Sequence, residues 1–250
     1  MVRTLKLTIE YDGTNYVGWQ IQKNGISIQE LIQTALQKIT AEKGNLLGAS
    51  RTDSGVHALA QVATYQTESS ISGEGLMKAA NSLLPNDICV KKIEEVADHF
   101  HPIKSAKSKT YTYVILQSPV HAPLLLHRVW HIRKPLDLRA MRKALTYFVG
   151  KHDFRSFMAQ GSSVKTTTRR LTKASLRVIK TYPHAPLLQL TFQGEGFLRH
   201  QIRNMVGTLV EVGEGKRTPD SIKVILKKRD RKSVGRCAPA CGLYLVKIKY

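Results

Sequence analysis

Arg51 and Asp53 stand two residues apart inside Gly48-Ala49-Ser50-Arg51-Thr52-Asp53-Ser54-Gly55-Val56-His57. Short polar side chains and glycine favour turns, and strand-type residues follow at once. The carboxylate is therefore expected on a loop held by a sheet, where reactive groups are commonly mounted. A free carboxylate is ionised at neutral pH and can serve as nucleophile or proton acceptor. The same residues admit a plainer reading, in which Asp53 bonds its own backbone to close the turn. His57 could be a general base, but its place just before an apolar strand points to a ring hydrogen bond that pins the loop.

Other motifs fall away on inspection. Gly213-Glu214-Gly215-Lys216 lacks the earlier glycine of a phosphate loop, because Val210 stands there, and Arg217 occupies the Ser/Thr position. Gly73-Glu74-Gly75 has Lys78 where a dinucleotide fingerprint needs its third glycine. Cys237 and Cys241 have no second Cys/His pair to complete a zinc site. His99 and His101 share a strand face without a third ligand. No metal and no cofactor is expected.

Charge points to the partner. The 250 residues carry a formal +21 and a pI near 10.1, which suits a polyanion, nucleic acid before an anionic membrane. The charge is uneven: residues 1–104 hold 10 Lys and Arg against 11 Asp and Glu, and the remainder holds 29 against 7. Chemistry and anchoring thus look divided between an N-terminal unit, 1–104, and a basic C-terminal unit, 105–250. The run Lys227-Lys228-Arg229-Asp230-Arg231-Lys232 admits both a solvated face and an RNA contact. Three cysteines, few and odd in number, fit a reducing cytoplasm, and neither a signal core nor a membrane-length apolar run is present.

The elements that must position Asp53 follow from periodicity. Leu5, Leu7, Ile9 and Tyr11 alternate with polar residues and predict a strand. Ser27-Ile28-Gln29-Glu30 predicts a capping box, with Ile28, Leu31, Ile32, Ala35, Leu36 and Ile39 at helical spacing behind it. A strand near 60–67, a helix near 75–84 and a strand near 87–96 complete β-α-β-α-β. The second half predicts strands around 110–115 and 129–132, a helix from about Leu138 to Phe148 closed by Gly150, and strands near 171–180 and 187–193. A helix near 197–212, a helix with Thr218 as N-cap and Pro219 at its first position, and a strand over 242–250 follow. The fold class is α+β, in two units.

Six segments, in chain order, resemble the TruA-type tRNA pseudouridine synthases. These are Tyr11-Asp12-Gly13-Thr14-x-Tyr16-x-Gly18-Trp19-Gln20, the Arg51-Thr52-Asp53 loop, and Phe100-His101 with Lys109-Thr110-Tyr111-Thr112-Tyr113. Gly150-Lys151-His152-Asp153-Phe154 with Arg169, Phe197-Leu198-Arg199-His200-Gln201-Ile202-Arg203-Asn204-Met205-Val206-Gly207, and Ala238-Pro239-x-x-Gly242-Leu243 complete the set.

The resemblance implies cofactor-free isomerisation of uridine to pseudouridine at positions 38 to 40 of the tRNA anticodon stem-loop, by a homodimer. It implies two α+β units whose mainly antiparallel sheets join, helices on one face and a basic cleft on the other. Asp53 matches the catalytic aspartate, Arg51 the loop arginine, Tyr111 the tyrosine that packs on the target base, and Arg203 an arginine near the active cleft. Taken without the resemblance, Tyr111 would be a core residue and Arg203 the polar face of a helix. Ser50 and Ser54 stand where the family usually has Gly and Ala, and Ile103 stands where it commonly has Arg. A non-catalytic RNA-binding protein on the same fold is the alternative; such a protein has no use for an anion at Asp53.

Overall fold

Alternation builds the first sheet. In strand β1 (Arg3–Tyr11) Leu5, Leu7, Ile9 and Tyr11 are at most 3% exposed, as a strand with one face on a core requires. The computed structural model describes residues 1–162, 164–180 and 186–250. Helix α1 (Ile28–Thr40) begins with the expected capping box: the Glu30 amide donates to Oγ of Ser27 at 3.2 Å, and the Ser27 amide donates to the Glu30 carboxylate. Strand β2 (Leu46–Gly48), strand β3 (His57–Thr67), helix α2 (Gly73–Leu83) and strand β4 (Ile88–Val96) follow.

The later elements are strands β5 (Ser108–Gln117) and β6 (Trp130–Ile132), helix α3 (Leu138–Thr146), and strands β7 (Gly150–Asp153), β8 (Thr168–Ile179) and β9 (Leu187–Gly194). Helices α4 (Gln201–Gly213) and α5 (Ser221–Lys228) and strand β10 (Leu243–Lys249) close the chain. The class is mixed α/β with mostly antiparallel pairing.

The chain forms two compact units, Met1–Lys107 with Tyr244–Tyr250, and Ser108–Leu243. In the first, β1 pairs antiparallel with β3 and β4, β2 lies antiparallel on β3, and β10 pairs in parallel with β3. The division differs from 1–104 and 105–250 at the C-terminus, because the β10 register, Tyr244 opposite His57, carries the last residues back to the first unit. Tyr250 packs on Phe100 there. In the second unit β9 pairs antiparallel with β5 and β8, β7 with β8, and β6 runs parallel to β5.

Three local expectations change. Helix α4 starts at Gln201, because His200 takes a left-handed conformation, φ 61°, that an α-helix cannot contain. Helix α5 starts at Ser221 with Asp220 at the N-cap. Thr218 and Pro219 instead form the preceding turn, in which the Thr218 carbonyl accepts from the Ser221 amide and hydroxyl. Gly150, with φ 115°, opens β7 as well as closing the segment after α3.

Candidate active site

In the first unit the Asp53 loop is clamped between two pieces of backbone. The Trp19 amide donates to the Thr52 carbonyl at 3.1 Å, and Gly18 and Asp53 form an isolated antiparallel bridge. A Cβ on Gly18 would sit 2.5 Å from the Thr52 oxygen, and φ at Gly18 is 110°, so both space and conformation call for glycine there. A Cβ on Gly13 would lie 2.0 Å from the Val56 oxygen. The glycine spacing of residues 13–18 therefore lets one loop press against the other.

Side chains complete the brace. Tyr11 and Thr52, both buried, share a hydroxyl hydrogen bond of 2.7 Å. Gln61, fully buried, donates to the Ser50 carbonyl at 2.5 Å, and Ser54 donates to the Tyr16 carbonyl at 3.0 Å. The Asp53 carbonyl accepts from the Val56 amide at 3.1 Å, closing the turn through the main chain. Asp53 itself is half-buried and Arg51 exposed. His57, 2% exposed, places Nδ1 2.9 Å from Oδ1 of Asp12 and 3.2 Å from the Gly13 amide, and its ring stacks on Tyr244. Unprotonated, Nδ1 accepts from the Gly13 amide; carrying a proton, it donates to the Asp12 carboxylate instead. The histidine pins the loop.

The second unit holds the other two expected residues. Tyr111, on β5, is 5% exposed and packs at right angles to Phe197, ring centroids 5.3 Å apart. Two residues earlier on the same strand face, burial pushes the Lys109 ammonium down to about 8. Arg203, half-buried on α4, donates from Nε to the Ala238 carbonyl at 2.9 Å, and the Ala238 amide returns a bond to the Arg203 carbonyl. Gly207 permits that approach, since a Cβ would lie 1.7 Å from the Arg236 oxygen.

Helix α4 has polar residues on a largely buried surface because they brace its neighbours. Asn204, 1% exposed, donates to the Phe157 carbonyl and accepts from Arg231. Thr208 accepts from the Gly235 amide. The basic run at 227–232 is accordingly split: Arg231 is turned to Asn204, Arg229 pairs with Asp153 at 3.2 Å, and Lys227, Lys228 and Lys232 stay exposed. Among the described residues no group of three or more His, Cys, Asp or Glu is placed to hold a metal ion.

The sequence places Asp53 on a loop but does not reveal the braces of that loop, Gly13, Gly18, Tyr11 and Gln61; the paired glycines of residues 13–18 are the available signal. Arg51 and Asp53 come together on one loop of the first unit, and Tyr111 and Arg203 lie in the second.

The model for the tRNA pseudouridine synthase family matches residues 7–103 and 144–250. A tRNA pseudouridine synthase A of Acetivibrio thermocellus is 47% identical over 249 residues, with both chains fully covered. Relatives of the same name from Thermoanaerobacter sp. and Pelobacter propionicus are 44% and 43% identical, again over the whole of both chains. With the matched segments including the Asp53 loop and α4, the chain belongs to the tRNA pseudouridine synthase family.

Proposed function

We propose that this chain isomerises uridine to pseudouridine in tRNA, at positions 38 to 40 of the anticodon stem-loop, with Asp53 as the catalytic residue. The observation that carries the reading is the Asp53 loop, braced on both sides by glycine-dependent backbone contacts in a chain that matches curated relatives end to end. The reaction breaks the N1–C1′ bond and turns the base. It then joins C5 to C1′, releases the C5 proton and returns one proton to N1, so atoms and electrons balance without a co-reactant.

An ionised carboxylate serves either of two routes, attack on C1′ or removal of a sugar proton once the base has left. Holding Asp53 rigidly lowers the cost of bringing it to the sugar. The exposed guanidinium of Arg51 is suited to a phosphate, which its planar fork can bind through two N–H groups. Tyr111 is assigned the stacking partner of the extruded base, a contact worth roughly 1–3 kcal/mol; the Phe197 contact fixes its ring. Arg203 is anchored through Nε to the Ala238 carbonyl, which fixes its guanidinium beside the end of the chain's 236–238 segment and suits it to orient the substrate.

The second unit supplies the charge: Ser108–Leu243 holds 26 Lys and Arg against 7 Asp and Glu. A-form RNA is met by shape and phosphate contacts rather than by base edges. Val120, Leu124 and Leu126, 69%, 87% and 65% exposed, support a homodimer by offering an apolar surface to a second copy. Three cysteines with no disulfide between them among the described residues support a cytoplasmic location, and among the described residues no helix is long and apolar enough to cross a membrane.

The test is to incubate the chain with a tRNA transcript, digest it and separate the nucleosides. Pseudouridine appearing at positions 38 to 40 supports the reading. A transcript that is bound but keeps uridine at every position contradicts it.

A further inference from the structure

A basic cavity lies where β7 and β8 meet the residues after β9, lined by Lys151, Thr168, Arg169, Arg170, Glu195 and Gly196. Building on the proposed action on tRNA, we infer that this cavity docks a backbone phosphate of the RNA.

Lys151 and Arg170 are direct partners across the antiparallel β7–β8 pair, so their side chains leave the same face. Like charges opposite each other weaken a sheet, and among the described residues no carboxylate forms an ion pair with either. A bound anion would relieve that repulsion. Arg169 is already oriented: its Nη1 donates to the carbonyls of Thr166 and Thr168, at 2.9 and 2.7 Å, leaving Nε and Nη2 for a ligand.

Gly196 keeps the space beside this guanidinium open. A Cβ there would meet only Arg169 Nε, 4.0 Å away, so packing does not require glycine, but a larger side chain would enter the cavity. The unit has little with which to neutralise the site. Of its seven carboxylates, Asp137 and Asp230 accept from backbone amides at helix starts, and Asp153, Glu211, Glu214 and Asp220 are in ion pairs. Glu195, exposed at the cavity, remains against three cations. An open site of this kind fits one phosphate of a long polyanion, and its place on paired strands fixes the phosphate's register on the unit.

Charge reversal tests the assignment. Arg170→Glu should raise the Kd for a tRNA transcript about tenfold and reduce the slope of log K against log salt by about 0.7–0.9, the share of one phosphate contact. Arg177→Glu, an exposed arginine further along β8, makes the same change of charge and should leave the slope at the wild-type value. Lys151→Gln separates binding from folding: it should raise the melting temperature of the free protein by removing the like-charge pair while weakening tRNA binding. Equal affinity and slope for wild type, Arg170→Glu and Lys151→Gln would overturn the inference while leaving the proposed function intact. Wild type that binds no tRNA would overturn both. Inorganic phosphate that stabilises wild type but not Lys151→Gln, with tRNA binding unaffected in both variants, would give the cavity to a free anion and overturn the RNA assignment.

Discussion

Nδ1 of His57 lies 2.9 Å from Oδ1 of Asp12, tying the start of β3 to the loop that leaves β1. Because that loop also carries Gly13 and Gly18, the pair sets the backbone on which Asp53 is held. Replacing His57 by Ala removes a buried partner of the Asp12 carboxylate, and the cost expected for such a loss is about 1–3 kcal/mol. Thermal melts should show reduced stability. Turnover on tRNA should fall more than tRNA affinity, because the second unit is untouched. Unchanged turnover would show that the loop holds Asp53 without the histidine.

Gly18→Ala should be the more damaging of two glycine replacements. Its Cβ would collide with the Thr52 oxygen at 2.5 Å, whereas a Cβ on Gly215 meets nothing within 4 Å, although φ is positive at both. Gly215→Ala therefore costs only the left-handed strain, about 1–2 kcal/mol. Gly18→Ala adds displacement of the Asp53 loop, and turnover should drop at least tenfold with tRNA binding retained. Equal activities for the two variants would contradict the clamp.

In the second unit Gly207→Ala should open the packing between α4 and residues 236–238, since the added carbon would sit 1.7 Å from the Arg236 oxygen. The destabilisation should exceed the 0.5–1 kcal/mol gain in the opposite sense, roughly, that Ala brings to an unconstrained helix. Denaturant titration of wild type and variant measures it.

Lys109 gives a pH dependence. Burial lowers its proton affinity to about 8, so the folded chain carries this charge below that pH and sheds it as pH rises. If the charge assists RNA binding, tRNA affinity at constant ionic strength should fall between about pH 7 and pH 9 in wild type, while an arginine there stays charged over the whole range. Lys109→Arg should flatten that limb. Parallel curves for the two proteins would contradict the assignment.

The sequence made most of the long elements legible, because β1 and α1 carry their own periodicity and the Ser27–Glu30 cap marks a start. Strands β2 and β7, three and four residues long, are too short for alternation to register. The return of β10 to the first unit depends on a parallel pairing with β3 that no local pattern encodes. Asp53 could be placed on a loop from its neighbours. Its support could not, because Gly13 and Gly18 act through close approach to backbone some 35 to 45 residues away, roughly the spacing at which only tertiary contacts operate. The charge run at 227–232 shows the converse limit: composition counts five cations, and an ion pair to Asp153 engages the exposed Arg229 while a hydrogen bond to Asn204 engages Arg231.

The most direct test of the central claim is release of tritium from tRNA labelled at uridine C5, comparing wild type with Asp53→Asn. C5 must lose its hydrogen when it bonds C1′, so the account predicts release by wild type and none by a variant that still binds tRNA. Release by Asp53→Asn at the wild-type rate would remove Asp53 from the chemistry, and no release by wild type, with tRNA bound, would contradict the enzymatic reading itself.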